Sequence, residues 1–144
     1  MDKQEENKYI SPKEKEILSK GLSLSKSKYN VGSLELYREN IYFIRQYPQF
    51  LKISQEFVNK SIGYRDAKKR LDLIERAFRT IPHCYREGVL EHIVYKRSYA
   101  DPKYDYANIK TWKYWTQKAV YEVAIRRGQK ELIEAFKLES KDAQ

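Results

Sequence analysis

The sequence has little of what disulfide-linked or strand-rich proteins are built from. Its 144 residues include one cysteine, five glycines and four prolines. A single cysteine, Cys84, excludes an internal disulfide and suits a reducing compartment. So few glycines and prolines leave too few turn formers for a chain of many short strands. The composition therefore predicts an all-α fold.

Long apolar runs are also missing. No stretch approaches the ~18 uninterrupted apolar residues of a membrane span. The first ten residues, MDKQEENKYI, are charged and lack the apolar segment of a signal peptide. From these features we expect a cytoplasmic protein that does not bind a membrane.

Acidic residues are too few to balance the basic ones. The chain has 29 lysines and arginines against 20 aspartates and glutamates, a net charge of +9. The excess lies mainly in the second half, where residues 64–98 carry nine basic against five acidic side chains. A charge of this sign attracts polyanions and releases their counterions on binding. We therefore expect a nucleic acid as the partner.

Helical periodicity divides the chain into three predicted parts. Residues 1–32 form an N-terminal arm with one short helix and a linker. Residues 33–81 form a helical hairpin, whose last helix has an apolar stripe in steps of three and four: Tyr64, Ala67, Leu71, Ile74, Phe78 and Ile81. Residues 82–144 form a helix-turn-helix-like tri-helical unit with a charged tail. The stripe can also serve as the contact surface of a homodimer. Its length is under three heptads, however, which favours packing within one chain.

The helix predicted over residues 108–127 carries the functional argument. At about 100° per residue, Trp112 and Trp115 turn toward the core, and lysines, tyrosines and a glutamine turn away. Such a face fits the major groove of DNA, where Lys and Gln bond base edges and Thr, Tyr and Lys hold phosphates. The predicted DNA contacts in this segment are Lys110, Thr111, Lys113, Tyr114, Gln117, Lys118, Tyr121, Arg126 and Arg127. The alternative is an ordinary amphipathic helix with a solvated face.

A second basic patch precedes this unit. Lys68, Lys69 and Arg70 lie on the helix with the apolar stripe, and other basic residues, Arg65, Arg76 and Arg79, also fall outside the stripe. We expect the run at 68–70 to contact the DNA backbone beside the recognition helix, or RNA. A solvated basic face is again the alternative.

The second half resembles a known group of regulators. Its loose motifs are Pro82, Tyr85, Arg86, Gly88 and Val89, followed by Tyr106, Ala107, Thr111 and Trp112. In layout they are similar to region 4 of bacterial sigma factors and to phage late-gene activators of the ArpU/RinA type, over residues 64–128. The resemblance implies a helix-turn-helix that acts on a phage or prophage promoter, with RNA polymerase as a possible partner.

The leading hypothesis is thus a sequence-specific, DNA-binding transcriptional regulator. Two others stay open: a phage protein that inhibits a host nucleoprotein machine through aromatic protein contacts, and a DNA-packaging or replication accessory. With one cysteine, two histidines and no glycine-rich phosphate loop, the sequence predicts neither an enzyme, nor a metal site, nor a cofactor.

Overall fold

The fold is all-α throughout the part of the chain that the computed structural model describes, residues 28–56 and 62–142. The predicted arm helix lies outside these residues. None of the described helices is long and apolar enough to cross a membrane. The helices are α1 (Leu34–Arg45), α2 (Tyr47–Glu56), α3 (Ile62–Phe78), α4 (His83–Tyr95), a 3-10 helix (Pro102–Tyr104), α5 (Ile109–Arg126) and α6 (Lys130–Asp142).

Local sequence chemistry sets the helix boundaries where it was expected to. The Ser33 hydroxyl caps α1 by accepting a hydrogen bond from the Leu36 amide at 3.2 Å. Asn108 caps α5 in the same way, through a 2.9 Å bond from the Thr111 amide. Pro82 stands at the N-cap of α4, where it separates α4 from α3. Helix α5 thus begins where the helix over residues 108–127 was predicted to begin.

The helix α5 is the central element of the fold. It packs against α1, α3 and α4. Its buried side chains point in most directions around the helix axis, a pattern typical of a core helix rather than a surface helix. They are Thr111, Trp112, Tyr114, Trp115, Thr116, Ala119, Val120, Val123 and Ala124.

The apolar stripe of α3 is buried as expected, with Tyr64 half-buried at its start. Because α3 packs against α2 and α5 of the same chain, the stripe is not free to form a dimer seam. One hydrophobic core contains residues of the predicted hairpin (33–81) and of the predicted tri-helical unit (82–144), among them Phe43, Ile74 and Trp115.

The segment just before α1 differs from its prediction as a linker. Tyr29 and Val31 are buried. The Tyr29 ring packs edge-on against Tyr114 and Tyr121, with centroid separations of 5.8 and 5.5 Å. Val31 joins a smaller cluster with Ile133 of α6. Tyr29 and Val31 therefore belong to the core, and the Tyr29 ring covers part of α5.

A buried polar side chain joins α1 to the turn between α5 and α6. Asn40 is fully buried. Its amide nitrogen donates to the Leu36 carbonyl at 2.9 Å and to Gln129 Oε1 at 3.0 Å, and its oxygen accepts from Arg127 at 3.0 Å. Both ends of the amide are satisfied, as burial of a polar group requires.

Candidate nucleic-acid interface

Part of the predicted DNA-reading face of α5 is inside the protein. Tyr114 is 0% exposed and Thr111 is 2% exposed, so the expectation that they contact DNA from the surface is wrong. The Tyr114 ring lies against Tyr29 and Trp115, with centroids 5.8 and 4.9 Å away. Tyrosine packs as an apolar ring in spite of its hydroxyl. This side of α5 is covered by Tyr29, a residue from outside the helix. The helical period of α5 alone cannot predict such a contact.

Lys118 and Tyr121 are also turned toward the protein. The Lys118 ammonium donates to the Thr80 carbonyl at 3.0 Å and lies 5.0 Å from the centre of the Tyr29 ring. Thr80 is the second residue after α3, near the helix end, where carbonyls attract a cation. Tyr121 is half-buried between Tyr29 and Lys137, whose ammonium lies 5.7 Å from its ring centre. Both residues are only partly exposed, so their contact with DNA stays a prediction.

At the C-terminal end of α5 the two arginines differ. Arg126 is exposed and pairs with Glu122 one turn earlier. Arg127 is tied to α1, since it bonds Asn40 and lies 4.4 Å from the centre of the Phe43 ring. Arg127 therefore holds α1 in place rather than facing a phosphate.

Lys110 and Lys113 are exposed, and Gln117 is partly buried. These three residues are spaced three and four apart, so they form one row along α5. The Gln117 side-chain oxygen is buried and has no hydrogen-bond partner among the residues that the structure describes. This row is the accessible part of the face that was predicted to read DNA bases.

The predicted patch on α3 is fully accessible. Lys68, Lys69 and Arg70 are all exposed. Lys68 pairs with Asp72 at 3.6 Å, and Arg70 pairs with Asp66 at 3.1 Å. Exposed pairs of this kind contribute about 0.2–1 kcal/mol, so they yield easily to a phosphate.

We define the α3 basic surface as the exposed cations of this helix and the turn after it. Its members are Arg65, Lys68, Lys69, Arg70, Arg76 and Arg79. Lys69 and Arg76 line a cavity of about 330 Å³ together with Arg126 of α5. Arg65, Arg76 and Arg79 were not among the predicted DNA contacts, although their positions off the apolar stripe already indicated exposure.

A second accessible region, which we call the α1–α4–α5 groove, was not predicted. Two cavities of about 490 and 290 Å³ adjoin there, since Tyr37, His92 and Thr116 line both. The remaining lining residues are Arg38, Ile41, Tyr42, Arg45, Ile93, Tyr99, Lys113 and Gln117. None of these described lining residues is acidic.

The groove is partly rigid. The His92 ring stacks on Tyr99 with centroids 3.9 Å apart, and its Nδ1 donates to the Arg97 carbonyl. Arg45 donates from Nε to the Ile93 carbonyl at 3.0 Å, which leaves its terminal nitrogens for another partner. Burial raises the pKa of Tyr37 and of Tyr99, so both stay neutral phenols at physiological pH.

The described residues contain no group of three or more His, Cys, Asp or Glu side chains that could hold a metal ion. Comparison with known proteins finds no match to any protein-family model, curated protein or solved structure. The likeness of residues 64–128 to phage regulators therefore stays a prediction. What the surfaces can bind has to be inferred from their own residues.

Proposed function

We propose that the protein binds duplex DNA and that the α3 basic surface makes the phosphate contacts. The observation that carries this proposal is a set of cations on one helix with no acidic partner. Arg65, Lys69, Arg76 and Arg79 are exposed, and no carboxylate of the described residues forms a salt bridge with them. Free cations of this kind neutralise phosphates and release counterions, which supplies most of the affinity for DNA.

The length of α3 suits a duplex. At ~1.5 Å per residue, the fourteen steps from Arg65 to Arg79 span about 21 Å. The major groove of B-DNA is about 12 Å wide, so the row can reach phosphates on both of its sides. Arginine also binds phosphate through two parallel hydrogen bonds, which favours a fixed orientation on the backbone.

The regulatory role that the resemblance implies requires base reading as well. We assign base reading to the first turns of α5, where Lys110 and Lys113 are exposed, because the rest of the predicted face is covered. Phosphate contacts fix orientation, and contacts to base edges supply specificity. The α3 basic surface would then provide affinity, and the start of α5 would provide sequence preference at a promoter.

The protein-contact hypothesis loses the two tryptophans among the aromatic residues on which it relied, while Tyr42 and Tyr95 stay exposed. Trp112 is 0% exposed and Trp115 is 1% exposed, so neither ring can anchor a partner on the folded surface. A packaging or replication accessory needs the α3 basic surface but no base reading. Selection from random duplex DNA separates it from a regulator, because only a regulator enriches a motif.

The proposal is tested with the full chain by fluorescence anisotropy of a labelled duplex. Lys69→Ala with Arg76→Ala removes two charges from the α3 basic surface. The matched control, Lys52→Ala with Lys130→Ala, removes two exposed charges from α2 and α6. We expect a loss of about tenfold or more for the first pair and less than about twofold for the control. Equal losses, or no binding to the duplex at low salt, would contradict the proposal.

A further inference from the structure

We infer that the α1–α4–α5 groove binds a phosphorylated nucleoside, supplied as a free nucleotide or as one unit of a single-stranded nucleic acid. The groove is separate from the α3 basic surface, and it combines the three features that such a ligand needs. These are cations for the phosphate, aromatic rings for the base, and a polar group at the base edge.

The two arginines of α1 would bind the phosphate, and Lys113 of α5 adds a third positive charge to the groove. Arg38 and Arg45 on α1 and Lys113 on α5 are exposed and line the groove. Neither Arg38 nor Lys113 has a salt bridge to any carboxylate in the described ranges. Glu35 shares the α1 row of Arg38, but it does not line either cavity. A cleft of one charge sign concentrates the field and favours an anion.

Aromatic rings at the cavity walls would stack on the base. Tyr37 is half-buried and lines both cavities, and Tyr42 is 67% exposed at the rim. Every nucleobase has a flat π face, so stacking on such rings does not depend on sequence. The stacked rings of His92 and Tyr99 form a fixed wall beside Tyr37.

Gln117 is the residue that would form a hydrogen bond with the edge of the base. Gln117 lines the smaller cavity, and its side-chain oxygen is buried and has no partner within the described part of the chain. A buried polar atom that lacks a hydrogen bond destabilises the fold, so a ligand that supplies one is favoured. An amide bonds a base edge in either of its two orientations, because it offers a donor and an acceptor.

The size of the groove agrees with this ligand. Pockets for small molecules commonly measure about 300–1,000 Å³. The smaller cavity, at about 290 Å³, contains Gln117, and the adjoining one, at about 490 Å³, contains Arg38 and Arg45. We therefore assign the base to the smaller cavity and the phosphate to the larger. Tyr42, at the outer end, is placed to stack a second base when the ligand is a strand.

The test is a titration of the ¹⁵N-labelled full chain with adenosine 5′-monophosphate, followed by backbone amide shifts. Adenosine and inorganic phosphate are titrated separately. We expect the nucleotide to shift amides around Arg38, His92 and Gln117, and to bind at least about fivefold more tightly than either part alone. An absence of shifts in the groove at millimolar nucleotide would overturn the inference, as would equal binding of phosphate alone.

Two variants test the assignment of the contacts. Arg38→Ala should weaken nucleotide binding at least about fivefold. Gln117→Met, which keeps the length of the side chain, should do the same without lowering the melting temperature. The controls are Arg65→Ala on α3 and Gln49→Met on α2, both exposed and outside the groove. If the controls weaken binding as much as the groove variants, the groove is not the site.

A short single strand distinguishes the two sources of the ligand. If a strand is the ligand, it binds more tightly than the mononucleotide, and Tyr42→Ala weakens it at least about fivefold while the equally exposed Tyr95→Ala does not. If a free nucleotide is the ligand, strand and mononucleotide bind alike, and Tyr42→Ala has little effect. The charge variants of α3 should leave both unchanged, so duplex binding can fail independently of this inference.

Discussion

Gly88 of α4 lies so close to Trp112 of α5 that a Cβ atom on it would come within 2.7 Å of two indole carbons. The contact fixes the distance between the two helices. Gly88→Ala forces them apart or moves the indole, so we expect it to destabilise the protein by about 1–3 kcal/mol in urea unfolding. Gly63→Ala is the matched control in α3, since no atom of the residues that the structure describes lies within 4 Å of its added methyl.

In the control, alanine should stabilise α3 by about 0.4–1 kcal/mol, because the unfolded chain loses freedom. A stabilising effect at both glycines would mean that the α4–α5 contact is looser than the structure has it. Equal destabilisation at both would instead mean that α3 does not begin at Ile62.

Both tryptophans are predicted to be structural. Trp112 donates from its indole nitrogen to the Tyr104 carbonyl at 2.7 Å, and Trp115 stacks on Tyr85 with centroids 5.8 Å apart. Replacing either by alanine should cost about 3–5 kcal/mol, measured by chemical unfolding. Tyr95→Ala, at an exposed ring of α4, is the control and should change stability little. Unchanged stability in both tryptophan variants would place these rings outside the core.

Stability should fall in acid partly through Glu91. Its carboxylate accepts hydrogen bonds from the Lys103 ammonium and the Tyr104 hydroxyl, each at 2.7 Å. These bonds lower the pKa of Glu91 and help to raise the pKa of Tyr104 to about 12. A carboxyl with a lowered pKa stabilises the fold above its unfolded pKa, and this contribution is lost as the pH falls through the folded pKa.

Glu91→Gln should therefore destabilise the protein at neutral pH and have less effect at a pH below that lowered pKa. Urea unfolding over this pH range measures the difference. Glu87→Gln, on the exposed side of the same helix, serves as the control. A difference between wild type and Glu91→Gln that does not change with pH would exclude the carboxylate as its source.

The salt dependence of duplex binding reports the number of phosphate contacts. Each neutralised phosphate contributes about −0.9 to the slope of log affinity against log salt. The variant Lys69→Ala with Arg76→Ala should therefore have a slope smaller in magnitude by about two. A weaker affinity with the wild-type slope would show that the substitutions act on folding, not on phosphates.

Sequence reasoning succeeded where structure is decided locally. Ser33 and Asn108 set helix starts through side-chain bonds within a few residues, and Pro82 does so through its restricted backbone, so their roles are readable in the chain. The exposure of the α3 cations could also be predicted from the sequence, because they lie on the side of the helix opposite its apolar stripe. The resulting prediction of an all-α fold is confirmed.

Reasoning from one helix failed where distant segments decide burial. Tyr114 and Lys118 were assigned to solvent from their helical positions, yet both pack against Tyr29, some 85 residues earlier in the chain. Aromatic rings and long aliphatic stems suit core and surface alike. The α1–α4–α5 groove escaped prediction for a related reason, since its residues come from three separate helices.

The central position of α5 has a consequence for synthesis. The ribosome releases α3 before α5, yet the apolar stripe of α3 packs partly on α5. At about 5–20 residues per second, the 48 residues from Phe78 to Arg126 take roughly 2–10 s to make. During that time the stripe lacks the part of its packing that α5 provides. We therefore expect the nascent chain to expose apolar surface, which favours aggregation, until α5 is released.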